Sequence, residues 1–214
     1  MPENKQRVKK VINLLNKKYK NPKTALNYKT NHQLLVATIL SAQCTDKRVN
    51  EVTKDLFKKY KKVSDYAKIS ADEFEKDIRT TGFFKNKAKN IVEASKIIIE
   101  KFSSRIPDSM EKLILLPGVA RKTANVVLSE AFGKNEGIAV DTHVRRLSQR
   151  LNLSANSNPD KIEKDLIEIT AKKDWGKLSN LLISHGRTIC SARNPKCSAC
   201  VLKEDCPSAF SFEK

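Results

Sequence analysis

Leu116-Pro117-Gly118-Val119-Ala120-Arg121-Lys122-Thr123-Ala124-Asn125-Val126-Val127 is the stretch on which the reading of this chain turns. Pro117 pre-sets its own φ and Gly118 tolerates positive φ, so the first half reads as a tight turn. Arg121 to about Phe132 follows with helical apolar spacing, and Gly133 is placed as the residue that ends the helix. Before the turn, Pro107-Asp108-Ser109 reads as a loop and N-cap, and Met110 to Leu115 as a short helix. A hairpin turn between two helices aims successive backbone N–H groups at one point, beside the positive end of the second helix. Those are the requirements of a phosphate site. An ordinary helix–helix turn is the bland alternative.

Working outward, the apolar pattern stays helical almost throughout. Val8, Val11, Ile12 and Leu15 make one face of a first helix, and Leu34, Leu35, Thr38 and Ile39 lie on a second that reads as fully buried. Val49, Val52, Leu56 and Tyr60 fit a third, with short helices near Val63–Ala67 and Ala71–Ile78. Gly82 breaks that run, and a longer helix follows through Ile91, Ala94, Ile98 and Phe102. Beyond the hairpin, Asp141 begins a helix through Val144, Leu147 and Leu151, and Asn158-Pro159 starts another. A last helix carries Leu178, Leu181, Leu182 and Ile189, and nothing from Lys196 onward is periodic. The fold class is all-α, with about ten helices and an irregular tail.

The chain has 214 residues, 42 Lys plus Arg against 24 Asp plus Glu, and a formal net charge of +18. That excess points to a polyanionic partner, most simply nucleic acid. Only 6 Gly and 6% aromatic residues argue against an all-β chain. Met1 to Lys10 lacks the apolar core of a secretion signal, and Leu34 to Leu40 is too short to span a bilayer. The expectation is a cytoplasmic protein, associated with the nucleoid when bound to DNA, where structural disulfides are not anticipated.

Four of the 5 Cys lie in the run Cys190-x6-Cys197-x2-Cys200-x5-Cys206. Four thiolates so close in sequence suit one small inorganic centre. Only Cys197 and Cys200 form a close pair and no His lies inside the loop, which is less suited to zinc than to a [4Fe–4S] cluster, though spacing leaves both open. Arg187, Arg193, Lys196 and Lys203 flank the ligands and make a basic, phosphate-facing surface of the loop. Cys44 stands apart and reads as a small buried hydrophobe on a helix.

Lys122 falls in the first turn after the hairpin, where the helix dipole and Arg121 disfavour its ammonium form; an uncharged amine there is a nucleophile. Asp141 reads first as an N-cap, a role compatible with facing a reaction site. His143 is a candidate phosphate contact, and His185 a buried, satisfied histidine.

These segments, together with Ala139-Val-Asp-Thr-His-Val144, Ser41-Ala-Gln-Cys-Thr-Asp46 and Gly82-Phe-Phe-Lys-Asn-Lys-Ala88, occur in an order that resembles the endonuclease III family, the helix–hairpin–helix DNA glycosylases of base-excision repair. The resemblance covers nearly the whole chain. It implies two helical lobes: a six-helix barrel over residues 24–135, and an iron–sulfur domain made of residues 1–23 and 136–214. It implies a DNA-binding cleft between the lobes into which a lesion is flipped, because its C1′ is out of reach inside a duplex. It favours a [4Fe–4S] cluster, one per chain, on Cys190, Cys197, Cys200 and Cys206. It implies a monomeric bifunctional enzyme that excises oxidised pyrimidines from double-stranded DNA and cuts 3′ to the abasic site by β-elimination. Lys122 then corresponds to the Schiff-base lysine and Asp141 to its carboxylate partner. Gln43 corresponds to a residue that fills the gap left by the flipped nucleotide, and Phe83 to an apolar wedge. Gly118 and Ala120 lie at the hairpin, where Ala120 replaces a second Gly, so that its Cβ is expected to alter the phosphate approach. A monofunctional adenine glycosylase is disfavoured by Lys122 and by the chain stopping at Lys214. A non-enzymatic DNA-binding protein is disfavoured by the pairing of Lys122 with Asp141.

Overall fold

The computed structural model describes residues 2–20 and 22–212, and of Pro2 only its backbone. Among them there are eleven α-helices and no strand, and the chain divides into two compact units. The all-α reading therefore stands. In chain order the helices are α1 (Pro2–Lys18), α2 (Asn31–Leu40), α3 (Asp46–Lys59), α4 (Val63–Lys68), α5 (Ala71–Ile78), α6 (Phe84–Phe102), α7 (Met110–Leu113), α8 (Arg121–Phe132), α9 (Thr142–Arg150), α10 (Pro159–Ile169) and α11 (Trp175–Thr188).

The unit Ala25–Lys134 holds α2 to α8. Its centre is α2, buried at every position from Leu34 to Leu40, as a helix apolar on all sides must be. Thr30 caps it by accepting from the Gln33 N–H. Around it lie Tyr66, Phe74, Ile78, Ile91, Ile98, Leu113 and Leu128, all essentially inaccessible. Each such side chain contributes about 1.5–3 kcal/mol by leaving water. Tyr60, Tyr66 and Phe74 pack ring on ring at 5.1–5.7 Å. His32 meets the Tyr66 ring edge-on at 4.7 Å, and burial pushes its pKa down to about 4.

The second unit, Met1–Thr24 with Asn135–Lys214, is assembled from the two ends of the chain. The apolar stripe of α1 (Val8, Val11, Ile12, Leu15) joins Ile138, Val140, Val144, Leu147, Ile162, Leu166, Leu178, Leu181 and Leu182 in one core. Pro159 occupies the first turn of α10 behind the Asn158 cap, which accepts from Asp160 and Lys161. The tail beyond α11 is irregular apart from two 3₁₀ turns, Cys197–Ala199 and Lys203–Asp205.

Two local expectations need correction. The helix before the hairpin stops at Leu113 rather than Leu115, because Leu116 N–H turns back to Leu113 O at 3.0 Å and winds the chain into the hairpin. Ile114 and Leu115 are consequently exposed. Cys44 lies in the turn after α2 rather than on a helix, half-buried against the core. No helix among the described residues is long and apolar enough to cross a membrane.

Candidate functional site

In the unit Ala25–Lys134, the hairpin is fixed by Val119 N–H donating to Leu116 O at 3.1 Å and by buried Leu116 and Val119 on either side of exposed Gly118. Gly118 has φ +77°, and a Cβ there would stand 3.0 Å from both Cβ and Nδ2 of Asn90. Glycine is thus required twice, by the backbone and by its neighbour on α6. Ala120 is different. It is the N-cap of α8 with φ −82° and ψ 169°, extended backbone that any residue adopts. A Cβ at 120 therefore carries no backbone penalty. Ala120 has no side-chain acceptor to offer the first turn of α8, and no side-chain cap bond is made there. The positive end of this helix is left to be satisfied from outside the helix. Lys122 is exposed on that first turn.

Two further exposed residues of this unit carry unusual backbone. Gln43, in the turn after α2, has φ +52°, and Phe83, just before α6, has φ +48° and ψ 28°. Neither is glycine, and a left-handed conformation costs each about 1 kcal/mol or more. Phe83 is 64% exposed, while its neighbour Phe84 packs against the core. Phe83 is therefore a surface aromatic and Phe84 the core one.

In the other unit, Asp141 caps α9, one carboxylate oxygen accepting from His143 and Val144 N–H at 2.8 Å each. The second oxygen is not needed for the cap. His143 is half-buried, its Nδ1 3.1 Å from Arg146 Nη2, and desolvation lowers its pKa. A Cβ on Gly186 would come within 2.8 Å of that ring, so α11 must present glycine here. His143 is thus a packed member of this face rather than a loose surface contact.

Cys190, Cys197, Cys200 and Cys206 are all free and half-buried. They line one cavity together with Leu147, Leu151, Ile189, Pro195, Leu202 and Ala209. Among the described residues no three His, Cys, Asp or Glu side chains converge as a single metal ion would need. Four thiols around an apolar hollow fit a thiolate-ligated cluster, whose sulfurs stand further apart than zinc ligands. Burial raises the Cys200 and Cys206 thiols, so a metal centre held here would have to supply the energy that deprotonates them.

The loop is held by residues the sequence reading passed over. Arg150 donates from Nη1 to Cys190 Sγ at 3.2 Å and Ser191 O at 2.7 Å, and from Nη2 to Ala192 O at 2.9 Å. Its guanidinium lies 4.2 Å from the Phe212 ring. Arg146, one turn earlier, donates to Cys190 O and Gly186 O at 2.8 and 2.9 Å. The only sequence signal was two arginines four apart beside Leu147 and Leu151, a pairing that surface helices share. His185 is 1% exposed and satisfied, as anticipated, with Nε2 3.3 Å from Cys200 Sγ and Nδ1 3.1 Å from Tyr19 Oη. Arg193 and Lys203 are exposed at the rim.

Residues 36–172 match the family model described as HhH-GPD superfamily base excision DNA repair protein. Residues 190–206, from the first to the last cysteine of the run, match the iron–sulfur binding domain of endonuclease III. The chain is 51% identical over 209 residues to Endonuclease III of Synechocystis sp., covering 98% of this chain and 95% of that protein. It is 47% identical over 175 residues to Endonuclease III of Bacillus subtilis, covering 81% and 80%. Two solved structures, a non-covalent endonuclease III–DNA complex and a trapped endonuclease III–DNA covalent intermediate, each match with TM-score 0.91, 39% identity and 97% of both chains covered.

Proposed function

The chain belongs to the HhH-GPD superfamily of base excision DNA repair proteins and, within it, to the endonuclease III family, and from that premise we propose that Lys122 is the nucleophile of its reaction. The protein is a base-excision repair enzyme, a DNA glycosylase with abasic-site lyase activity that acts on double-stranded DNA, and it carries a [4Fe–4S] cluster.

The substrates are oxidised pyrimidines. The uncharged Nζ of Lys122 attacks C1′ of the lesion, the N-glycosidic bond breaks, and its electron pair leaves with the base, which takes up a proton. The aminal then opens, the C1′–O4′ bond breaking as O4′ takes up a proton, and the iminium so formed acidifies C2′. Loss of a C2′ proton expels the 3′ phosphate by β-elimination, and water then releases the lysine. Asp141, whose second carboxylate oxygen is spare, takes the proton from Lys122 and stabilises positive charge as it develops on the sugar. The N–H groups at the start of α8, presented by the Gly118 turn and Ala120, hold a phosphate. Gln43 and Phe83 enter the duplex where the nucleotide leaves, and His143 supports a phosphate contact. Arg193 and Lys203 meet the backbone from the cysteine loop, and the enzyme works as a monomer in the cytoplasm, where it meets the nucleoid. Cys190, Cys197, Cys200 and Cys206 hold the cluster, which orders this loop when bound.

The observation that carries this reading is the exposed amine of Lys122 on the first turn of a helix with no side-chain cap, directly after a glycine-dependent turn. Borohydride reduction on a thymine-glycol duplex tests it. The wild-type protein becomes covalently joined to DNA, and Lys122→Gln does not, while still binding the duplex. A trapped adduct with Lys122→Gln would assign the nucleophile elsewhere.

A further inference from the structure

Lys87 is an anomaly in a chain whose lysines are mostly solvated. It lies in the first turn of α6, is 5% exposed and has no carboxylate partner among the described residues. Its Nζ donates to Leu40 O at 2.8 Å and to Thr81 O at 2.7 Å, and its backbone N–H donates to Phe83 O at 3.1 Å. Burial lowers its pKa, so the site costs free energy that the hydrogen bonds must offset.

The three carbonyls share one property. Leu40 is the last residue of α2, and the turn that begins at Ser41 carries Gln43 at φ +52°. Thr81 closes the 3₁₀ turn before Gly82, and Phe83 follows at φ +48°. One side chain therefore grips the root of the Gln43 turn and one root of the Phe83 turn, while its own backbone grips the other root of the Phe83 turn. The ammonium also sits at the negative end of α2, where a cation is favoured. Both exposed tips are held in strained backbone, which persists only where the surroundings over-determine it.

We propose that Lys87 is a positioning residue that sets the Gln43 and Phe83 turns in one fixed register, so that both enter the duplex together when a nucleotide is extruded. The inference rests on the reading of Gln43 and Phe83 as the residues that enter the duplex. Lys87 touches neither the sugar nor the base. Its contribution is to extrusion, the step before chemistry, rather than to Schiff-base formation.

The test compares the wild-type holoenzyme with Lys87→Met and Lys87→Gln at a temperature where circular dichroism shows each variant folded. The first readout is the fluorescence of 2-aminopurine placed beside a tetrahydrofuran abasic analogue, which rises as neighbouring bases unstack. The second is the single-turnover glycosylase rate on a thymine-glycol duplex against the lyase rate on a preformed abasic site. Lys87→Met is expected to blunt the fluorescence rise and slow base excision by about 100-fold, the scale of an ångström-level misplacement. Lyase on the preformed site, where no base has to be unpaired and unstacked before the sugar is reached, should fall less than excision, and Lys87→Gln, which keeps one donor group, should recover part of the excision rate. Equal loss of both rates, or an unchanged fluorescence rise, would overturn the proposal, as would failure of both variants to fold, which would make the contact purely structural. Gln43→Ala and Phe83→Ala serve as controls for the underlying reading. If neither changes the fluorescence, that reading fails; if both do and Lys87→Met does not, only the role of Lys87 fails.

Discussion

The two units of this chain are stabilised by different means. Ala25–Lys134 is one continuous segment packed around α2, and four of its buried polar side chains, Lys87, Thr38, Ser95 and Thr81, point onto nearby backbone carbonyls. In the other unit the helices form an apolar core of the same kind, but the cysteine loop beyond α11 rests on Arg146, Arg150 and His185 directed at its carbonyls and sulfurs. The first unit is an oil-drop core with polar stitches. The second adds a polar cage around a centre that a ligand completes. The lesson is that periodicity specifies the first kind of order and leaves the second to side chains far apart in sequence.

The sharpest way to break this comparison is to open the cage. Arg150→Met removes three charge-assisted hydrogen bonds to partly buried or exposed acceptors, an expected loss of about 2–3 kcal/mol from that unit. Thermal unfolding followed by the cluster's visible absorbance should show iron lost earlier, and Arg150→Lys should not restore it, because an ammonium cannot reproduce the fork. Unchanged iron retention would mean that the cysteines order the loop unaided.

An effect of similar size is expected in the other unit, from His32. Its folded pKa of about 4 lies below the ordinary 6.5, so between these values the unfolded chain binds a proton that the folded chain refuses. The stability is complete above pH 6.5 and declines as pH falls toward 4, by about 3 kcal/mol in all. Denaturant titrations at several pH values should show this slope in the wild type and a flatter one in His32→Gln. Equal slopes would place the acid sensitivity elsewhere.

A smaller effect separates the two hairpin positions. Gly118→Ala meets both positive φ and Asn90, and should cost about 1–2 kcal/mol with weaker duplex binding. Ala120→Gly changes an extended residue and should cost no more than about 0.5 kcal/mol. A reversal of that order in binding assays would show that the second position, not the first, governs the approach of the phosphate.

The smallest effect belongs to the loop's rim. Replacing Arg193 and Lys203 together by Gln should lower the slope of log binding constant against log salt by about 2 and weaken damaged and undamaged duplex alike. An unaltered slope would remove the loop from the DNA interface.

Much of the architecture was legible in the sequence because helices announce themselves by spacing. Leu34 to Leu40, the Asn158-Pro159 start and the Gly133 stop all lie where their chemistry put them. Met110 to Leu115 was overextended because its end is dictated by a hairpin contact, not by apolar periodicity. Spacing does not tell Phe83 from its neighbour Phe84, and only their exposure separates them. Arg146, Arg150 and Lys87 were hidden for a common reason. An inward-turned cation is recognisable only by the acceptors around it, and here those acceptors are mostly backbone carbonyls, which every sequence contains.

The unit built from both chain ends has a consequence for biosynthesis. The stripe of Val8, Val11, Ile12 and Leu15 leaves the ribosome early, yet its core partners begin at Ile138. More than a hundred residues, including the whole of the other unit, must be translated before that stripe is covered. Ala25–Lys134 has its complete core in hand by then, and so is placed to fold first, leaving a nascent amphipathic helix waiting beside it. In such an order of events the closing of the second core depends on the helices that follow Ile138.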